Sequence, residues 1–219
     1  MGIQPDIIVC RSEYPLDNGI KDKIALFCNV PSSHVLQNLD VEYLYEAPLA
    51  MEEEHLAQVA CECLGLPCPE PNLSDWKAMC TALKHPKGEV SVALVGKYTQ
   101  LHDAYISVVE SLKHGGIANG VSVNIKWVDS EKVTAENVEE FLGDVSGILV
   151  PGGFGDRGIE GKIQAIRYAR EHNVPFLGLC LGMQMAIVEF ARHVLGYTDA
   201  HSSELNPNTT HPVIHIMPD

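Results

Sequence analysis

The sequence predicts an α/β protein whose main part is an open, mostly parallel β-sheet. From residue 90 onward, short apolar segments alternate with longer amphipathic ones, which is typical of strand–helix units. Glycine-rich segments at 151–158 and 178–182 directly follow the two most apolar of the short segments. Ligands of such sheets bind at the carboxyl ends of the strands, so these two segments are expected to carry a site.

The composition is that of an ordinary globular protein and excludes several functions. Of the 219 residues, 46% are hydrophobic and 20% are charged, which argues against disorder over most of the chain. Fifteen basic and 29 acidic residues give a net charge of −14, which disfavours general binding to nucleic acids or anionic membranes. No apolar run approaches the roughly 18 residues of a membrane span, so we expect a cytoplasmic protein. The seven cysteines form an odd, uneven set that favours reduced thiols.

The first 50 residues predict three short strands, at 6–10, 23–30 and 41–45. Turn-type residues separate them, among them Pro15, Gly19 and Pro31. Such a region has no long helix to cover both faces of a sheet, so it needs further chain or a partner to complete a core. We therefore interpret residues 1–50 as part of a larger α/β domain.

Residues 51–89 predict two amphipathic helices joined by a proline-rich turn. Apolar residues follow helical spacing from Leu56 to Leu64, and again from Trp76 to Leu83 after Ser74, a candidate N-cap. The acidic residues 52–54 fit a solvated first helical turn. We interpret this region as an interdomain linker, although the spacing fits equally well a helical hairpin that belongs to either neighbour.

The remaining residues, 90–219, predict the parallel sheet itself. Strands are expected at 90–95, 121–128, 147–150 and 174–179, and helices at 103–113, 134–142, 158–172 and 182–195. The segment 121–128 alternates apolar and polar residues and is expected to be half-exposed. The segments 147–150 and 174–179 are continuously apolar and are expected to be buried throughout.

The sharpest chemical signal is the segment 178–182, Gly-Leu-Cys-Leu-Gly. It has the form of a nucleophile elbow, in which glycines two residues to either side permit a strained turn between a strand and a helix. The turn would project the Cys180 side chain above the sheet, at a helix N-terminus whose unpaired N–H groups favour a thiolate. An inert buried cysteine is the alternative, but the flanking glycines favour a nucleophile.

The segment 151–158 contains consecutive glycines directly after a buried strand. Glycines at such a position let backbone N–H groups approach a ligand closely, as an oxyanion hole requires. A tight connection or a phosphate-binding turn would have a similar sequence, although neither standard dinucleotide nor P-loop spacing is present. The combination with the elbow at 178–182 favours the oxyanion hole.

These two segments, 150–155 and 178–184, resemble those of the class I (triad) glutamine amidotransferases, which have a flavodoxin-like sheet. Other segments resemble the CTP synthase family, and the resemblance covers essentially the whole chain: residues 4–6, 10–12, 23–30, 95–98 and 113–116. It implies that residues 1–50 end a synthetase (amidoligase) domain, 51–89 are linker helices and 90–219 begin a glutamine amidotransferase domain. Family members aminate UTP to CTP with ATP, Mg²⁺ and ammonia from glutamine, are activated by GTP and form homotetramers.

The resemblance also implies roles for individual residues of the amidotransferase region. Cys180 would attack glutamine to form a thioester, and the oxyanion hole would involve Gly152, Gly153 and Leu181. The residues implied to bind glutamine are Gly153, Phe154, Gln184 and Glu204. Without the family, Glu204 would be interpreted as a surface loop residue.

Nucleotide contacts are implied at fewer positions. Lys23 would contact UTP or CTP, Arg11 and Asp40 would lie near the ATP adenine, and Arg157 and Glu160 would couple GTP binding to activity. Without the family, Lys23, Arg11 and Asp40 would be interpreted as surface charges. No metal ligands are expected in this chain, since Mg²⁺ would arrive as part of the ATP substrate.

The family protonates the leaving ammonia with a His-Pro-Glu motif, which this sequence lacks. Its two His-Pro pairs, at His85 and His211, are followed by Lys87 and Val213. The family's phosphate-binding loop is also absent from this sequence. We therefore expect the 219-residue polypeptide alone to make no CTP and to hydrolyse glutamine poorly or not at all.

Two other functions remain open at this point. A non-catalytic interaction or assembly module could use the exposed sheet and linker helices. A different Cys-elbow hydrolase or a redox sensor would also place an exposed thiol at Cys180, but the amidoligase-like residues 3–30 argue against that alternative.

Overall fold

The computed structural model describes residues 2–216 and divides the chain into two compact units, Met1–Lys84 and His85–Asp219. Met1 and residues 217–219, which belong to the first and last of the predicted regions, lie outside the described residues. Strands are numbered β1–β8 and helices α1–α8 in chain order.

The first unit has a pair of parallel strands and four helices. Strand β1 (Ile8–Ser12) pairs with β2 (Val35–Leu39), with Ile8 opposite Val35, and α1 (Asn18–Cys28) makes the crossover between them. The other helices are α2 (Ala47–Glu53), α3 (Leu56–Leu64) and α4 (Ser74–Lys84). Two parallel strands need such a crossover, because a hairpin turn reverses the chain direction and would make the strands antiparallel.

The strand predicted at 23–30 is wrong, because residues 23–28 belong to helix α1 and Asn29 is its C-cap. Asp17 is the N-cap, and its side chain accepts a hydrogen bond from the Ile20 N–H over 2.9 Å. Asn29 ends the helix in the left-handed conformation, with φ 52°. The N-cap at Asp17 and the C-cap at Asn29 therefore favour a helix despite the strand propensity of the residues between them.

The predictions for 41–45 and 52–54 are also wrong. The second strand is Val35–Leu39, and residues 41–45 form a bend and the start of a short 3₁₀ turn. Residues 52–54 lie at the end of α2 and just after it rather than in a solvated first turn. Glu54 accepts hydrogen bonds from Lys21 over 2.7 Å and from the Gln37 amide over 2.9 Å, and this joins α1, β2 and the end of α2.

The second unit contains a four-stranded parallel sheet in the order β4-β3-β5-β6. Its strands are β3 (Glu89–Gly96), β4 (Ser122–Asp129), β5 (Gly147–Val150) and β6 (Phe176–Gly178), and its helices are α5 (Ile106–Asn119), α6 (Val138–Leu142), α7 (Ile159–Glu171) and α8 (Leu181–His193). The short strands β7 (His201–Ser202) and β8 (Pro212–Ile214) pair separately. The alternating pattern predicted from residue 90 is thus confirmed, with α5 continuing past its expected end at residue 113 to Asn119.

Side chains alternate across this sheet and supply a core on each face. Ala93 and Val95 of β3 and Ile148 and Val150 of β5 face the larger cluster, which includes buried residues of α7 and α8. Leu94 and Leu149 point to the other face, where partly buried residues of α5 pack. The period of two in β3 and β5 therefore requires helices on both sides of the sheet.

The expectation that 174–179 is buried throughout is wrong. Strand β6 is at the edge of the four-stranded sheet as described, and the Leu177 side chain is 53% exposed. A continuous apolar segment indicates a strand made for burial, but the exposure of each residue depends on which neighbours cover it.

A charge pair with a buried carboxylate joins α7 to α8. The Glu189 side chain is 2% exposed and accepts hydrogen bonds from Arg170 Nε and Nη2, the shortest at 2.8 Å. This carboxylate raises the pKa of the Arg170 guanidinium.

Replacing Glu189 by Ala is expected to lower the free energy of unfolding by about 2–3 kcal/mol, because Arg170 loses its buried partner and keeps only a longer contact of 3.4 Å with Glu171. Glu171→Ala is the control, since its 40% exposed carboxylate pairs with Arg167 over 2.9 Å and contacts Arg170 only over 3.4 Å, and it should contribute less than about 1 kcal/mol. Urea unfolding of the two variants measures the difference, and equal effects would contradict the prediction.

Candidate active site

Two loops start side by side at the carboxyl ends of β5 and β6. Val150 and Gly178 are opposite each other in the parallel register. One residue later, the Leu179 N–H still donates to the Val150 carbonyl over 2.9 Å. The chain then leaves β5 as the glycine-rich loop at 151–158 and leaves β6 as the turn that contains Cys180.

Cys180 has the geometry of a nucleophile elbow. Its backbone has φ 51° and ψ −106°, which is strained for a residue other than glycine, and α8 begins at the next residue. The Gly182 N–H donates to the Leu179 carbonyl over 2.8 Å and so closes the turn. The Cys180 side chain is exposed, at the end of α8 where backbone N–H groups have no partner within the helix.

The glycines at 178 and 182 are required by contacts within this turn. A Cβ atom on Gly178 would lie 2.6 Å from the carbonyl carbon of Gly182. A Cβ atom on Gly182 would overlap the Val150 carbonyl oxygen and lie 2.9 Å from its carbonyl carbon. In both cases the obstacle is backbone, so α8 could not begin this close to β5 with a side chain at either position.

The glycine-rich loop lies against the elbow at Gly152 and Gly153. The position of a Cβ on Gly152 is 3.4 Å from Cys180 Cβ, and that on Gly153 is 3.8 Å from Leu181 Cδ2. The residues predicted for the oxyanion hole are therefore adjacent to the predicted nucleophile. Backbone N–H groups beside a nucleophile are the donors that stabilise negative charge in acyl transfer.

Lys97 is a feature of this loop that sequence reasoning missed. It follows the end of β3, and its ammonium donates a hydrogen bond to the Phe154 carbonyl. The Phe154 side chain itself is 83% exposed. Because β3 is next to β5 in the sheet, a polar residue after β3 reaches the loop after β5. This contact could not be predicted without knowing the order of the strands.

The other two predicted substrate contacts lie on different segments. Gln184 is half-buried in the first turn of α8, where its N–H donates to the Cys180 carbonyl over 3.1 Å. Glu204 is exposed on the loop between β7 and β8, and its N–H donates to Ser202 Oγ over 3.3 Å. Gln184 is thus part of the elbow, whereas no described hydrogen bond or ion pair joins Glu204 to it.

A cluster around Asp199 holds the chain segment that contains Glu204. Asp199 Oδ1 is 2.5 Å from His211 Nδ1, and Oδ2 accepts the Thr210 N–H over 2.6 Å. Tyr197 stacks on His211 with ring centroids 4.5 Å apart. These hydrogen bonds, first that of His211, place the pKa of Asp199 well below its usual range.

Replacing Asp199 by Asn is expected to speed hydrogen exchange at the Thr210 amide, because the charged acceptor is lost. The folded state has the lower carboxyl pKa, so the stabilisation by Asp199 is complete above the unfolded pKa of about 4 and declines as the pH falls further. Melting temperatures of the two forms should differ most near neutral pH and converge in acid. A difference that grows in acid would contradict this.

Arg157 and Glu160 point to different partners. Arg157 pairs with Glu131 over 3.3 Å and lies 5.9 Å from the Tyr98 ring centroid, whereas Glu160 pairs with Arg192 over 2.9 Å. Arg157 therefore lies within the glycine-rich loop, on the same Tyr98 ring that Lys97 contacts, and Glu160 joins α7 to α8.

In the first unit, Arg11 and Asp40 come together at the carboxyl ends of the parallel strands β1 and β2. Arg11 Nε lies 2.9 Å from Asp40 Oδ1, and both side chains are exposed. Ser12 Oγ and Asn38 Oδ1 are buried close by in sequence, without a hydrogen-bond partner among the described residues. Lys23 is exposed on α1, and no described interaction joins it to this pair.

Comparison with known proteins agrees with this geometry. A family model described as glutamine amidotransferase class-I matches residues 100–216, which contain both loops and Cys180. The chain belongs to the class I glutamine amidotransferase family. The predicted resemblance and the α/β fold class are thereby confirmed. A second family model, described as CTP synthase N-terminus, matches residues 1–66 of this amidotransferase chain.

Relatives of this amidotransferase chain match it along its entire length. It is 58% identical over 219 residues to a CTP synthase of Clostridium acetobutylicum and 59% identical to one of Ruminiclostridium cellulolyticum. In both comparisons the chain spans 41% of the relative's length.

A solved structure gives a comparison of the fold. The glutaminase domain of Trypanosoma brucei CTPS with bound acivicin superposes with a TM-score of 0.56 at 45% identity, covering 58% of this chain and 50% of that one.

Residues 2–216 have neither a metal-binding cluster nor a membrane-spanning helix. Among residues 2–216, no group of three or more His, Cys, Asp and Glu side chains is placed to hold a metal ion. Within the same residues, no helix combines the length and apolarity that crossing a bilayer requires.

Proposed function

We propose that this chain is part of a CTP synthase and that Cys180 is the nucleophile that releases ammonia from glutamine. The observation that carries the proposal is the strained, exposed Cys180 at the start of α8, with Gly152 next to it. The match of the chain to CTP synthases over its full length supports the amination of UTP as the use of that ammonia.

The proposed reaction begins with attack of the Cys180 thiolate on the side-chain amide carbon of glutamine. A carbon–sulfur bond forms, and the amide oxygen becomes an oxyanion that N–H groups near Gly153 and Leu181 stabilise, each worth about 3 kcal/mol. The carbon–nitrogen bond then breaks, and the nitrogen leaves as ammonia after taking up a proton. Water cleaves the thioester to glutamate and regenerates the thiol.

We assign the binding of glutamine to two polar side chains and one apolar side chain. The carboxylate of Glu204 would bind the ammonium of glutamine, and the amide of Gln184 would hydrogen-bond its polar groups. Phe154 would provide an apolar contact, for which its 83% exposed side chain is free. The His-Pro-Glu base of the family has no counterpart in this sequence, so proton transfer is assigned to none of these residues.

The first unit would contribute to the synthetase site. Lys23 would contact the pyrimidine nucleotide, and Arg11 with Asp40 would lie near the adenine of ATP, which enters as its Mg²⁺ complex. The unpartnered buried atoms of Ser12 and Asn38 support a polar ligand at these strand ends. We further propose GTP coupling through Arg157 and Glu160, a homotetramer and a cytoplasmic location.

The proposed organisation has three regions. Residues 1–50 would end the synthetase domain, 51–89 would be linker helices and 90–219 would form the first part of the amidotransferase domain. Cleavage of this chain by limited proteolysis near residue 85, where the two compact units meet in sequence, would support this division.

The proposal is tested by assaying CTP formation from UTP, Mg–ATP and either glutamine or ammonia. We expect the complete gene product to use both nitrogen sources. The 219-residue polypeptide alone is expected to make no CTP and to hydrolyse glutamine poorly or not at all. A complete gene product that forms no CTP from either source would overturn the proposal.

A further inference from the structure

Lys162 of helix α7 is a charged side chain in an unusual position. It is 1% exposed and is among the largest fully buried side chains of the described chain. Lysine is almost never fully buried unless it is paired, because transfer of an ammonium out of water is costly. Its burial therefore requires a compensating interaction or a function.

The Lys162 ammonium lies beside the glycine-rich loop. The position of a Cβ on Gly153 is 4.0 Å from Lys162 Nζ and 3.8 Å from Leu181 Cδ2. Gly152, the preceding residue, is the one that faces Cys180 Cβ. The backbone of the loop is thus next to Cys180 at Gly152 and next to the Lys162 ammonium at Gly153.

No carboxylate neutralises this cation among residues 2–216, where no hydrogen bond or ion pair engages Lys162 Nζ. The carboxylates of α7 itself and of α8 are engaged elsewhere: Glu160 with Arg192, Glu171 with Arg167, and Glu189 with Arg170. Glu131, after β4, pairs with Arg157. Burial, together with the Glu139 carboxylate of α6, raises the pKa of Tyr168, so Glu139 is also next to another group.

The protonation of Lys162 is set by its surroundings. Burial, followed by the positive charge of Lys97, lowers the pKa of Lys162 to about 8. It is therefore mostly protonated at neutral pH and loses its proton in mildly alkaline solution. Cys180, at the start of α8, lies next to the preceding loop residue Gly152.

We propose that Lys162 is a positioning residue that orients the Gly152–Gly153 backbone for oxyanion binding; this inference rests on the proposed glutaminase function. A trans peptide points its C=O and N–H in opposite directions, and an ammonium can only donate. A cation on the α7 side attracts the carbonyl oxygens of the loop and leaves the N–H groups free to face Cys180. Lys97 makes a direct contact of this kind, since its ammonium donates a hydrogen bond to the Phe154 carbonyl, whereas Lys162 would act on the loop through its charge over a longer distance.

The test compares Lys162→Met with the wild type in the complete gene product. Methionine has a similar length and no charge, so the core should tolerate it. We expect kcat for glutamine hydrolysis to fall by roughly tenfold or more, which is less than the loss of a direct oxyanion donor, with KM changed little. Lys113→Met is the matched control, because that lysine is 47% exposed on α5 and should leave kcat unchanged.

Two readouts separate positioning from a purely structural effect. Alkylation of Cys180 by iodoacetamide forms no oxyanion, so its rate should be the same in Lys162→Met and the wild type. The wild-type kcat should decline as the pH rises through about 8, where the cation is lost, and Lys162→Met should lack that decline. An unchanged kcat, or a parallel loss of hydrolysis and alkylation, would overturn the inference. Hydrolysis that survives Cys180→Ala would instead overturn the proposed function.

Discussion

Replacing Cys180 by Ala is expected to abolish glutamine-dependent CTP formation by the complete gene product and to leave ammonia-dependent formation intact. Loss of a catalytic nucleophile lowers kcat by up to about 10⁶-fold, because the covalent route is no longer available. Alanine removes only the exposed sulfur, so we expect the backbone of the elbow to fold as it does in the wild type. The expected defect is therefore in nitrogen supply rather than in folding.

Cys63→Ala is the matched control, since Cys63 is also free and exposed but lies on α3 of the first unit. It should retain full activity with both nitrogen sources. Steady-state assays with glutamine and with ammonium chloride give the two rates for each variant. The assignment would be contradicted if Cys180→Ala retained glutamine-dependent activity, or if it lost the two activities together.

Replacing Gly182 by Ala is expected to have the largest effect on stability of any change considered. The new Cβ would overlap the Val150 carbonyl oxygen, and Val150 is a fully buried residue of the central strand β5. Neither backbone can move without separating α8 from the sheet. We expect a loss of about 3 kcal/mol or more of unfolding free energy, at the upper end for overpacked sites.

Gly115→Ala is the control for this change. Gly115 lies within helix α5, and a Cβ there meets nothing within 4 Å, so alanine should stabilise the helix by up to about 1 kcal/mol. Thermal unfolding followed by circular dichroism measures both variants. A melting temperature of Gly182→Ala equal to that of the wild type would contradict the geometry of the elbow.

The central part of the site could be predicted because its signals are local. The strand at 147–150 and the turn around Cys180 depend on residues that are adjacent in sequence, and both are found where they were predicted. The requirement for glycine at 178 and 182 follows from the same turn, although the atoms that impose it come from Val150 and from α8.

The errors in the first unit have a different cause. Residues 23–30 have high strand propensity, but Ile24, Ala25 and Cys28, which are at least partly buried, follow helical spacing. The Asp17 cap starts the helix that contains them. Glu54 was assigned to solvent because acidic runs are usually exposed, yet its hydrogen bonds come from Lys21 and Gln37, 33 and 17 residues away. Contacts between such distant positions have no local signature.

The same reasoning applies to the charges around the active site. The burial of Lys162 and the hydrogen bond from Lys97 depend on how α7 and β3 pack around the glycine-rich loop. Leu177 shows the reverse case, in which an apolar residue is left exposed at the sheet edge. Sequence patterns predict which elements form, whereas the contacts between elements decide which side chains become functional or buried.

The most direct test of the account is the site of covalent labelling by an electrophilic glutamine analogue. The purified protein would be treated with the analogue, with and without excess glutamine, and the modified peptides identified by mass spectrometry. We expect one adduct per chain, on Cys180 alone among the seven cysteines, with glutamine protecting it. Labelling that is spread over the other exposed thiols at a similar rate, or that glutamine does not prevent, would contradict the assignment of Cys180 as the glutaminase nucleophile.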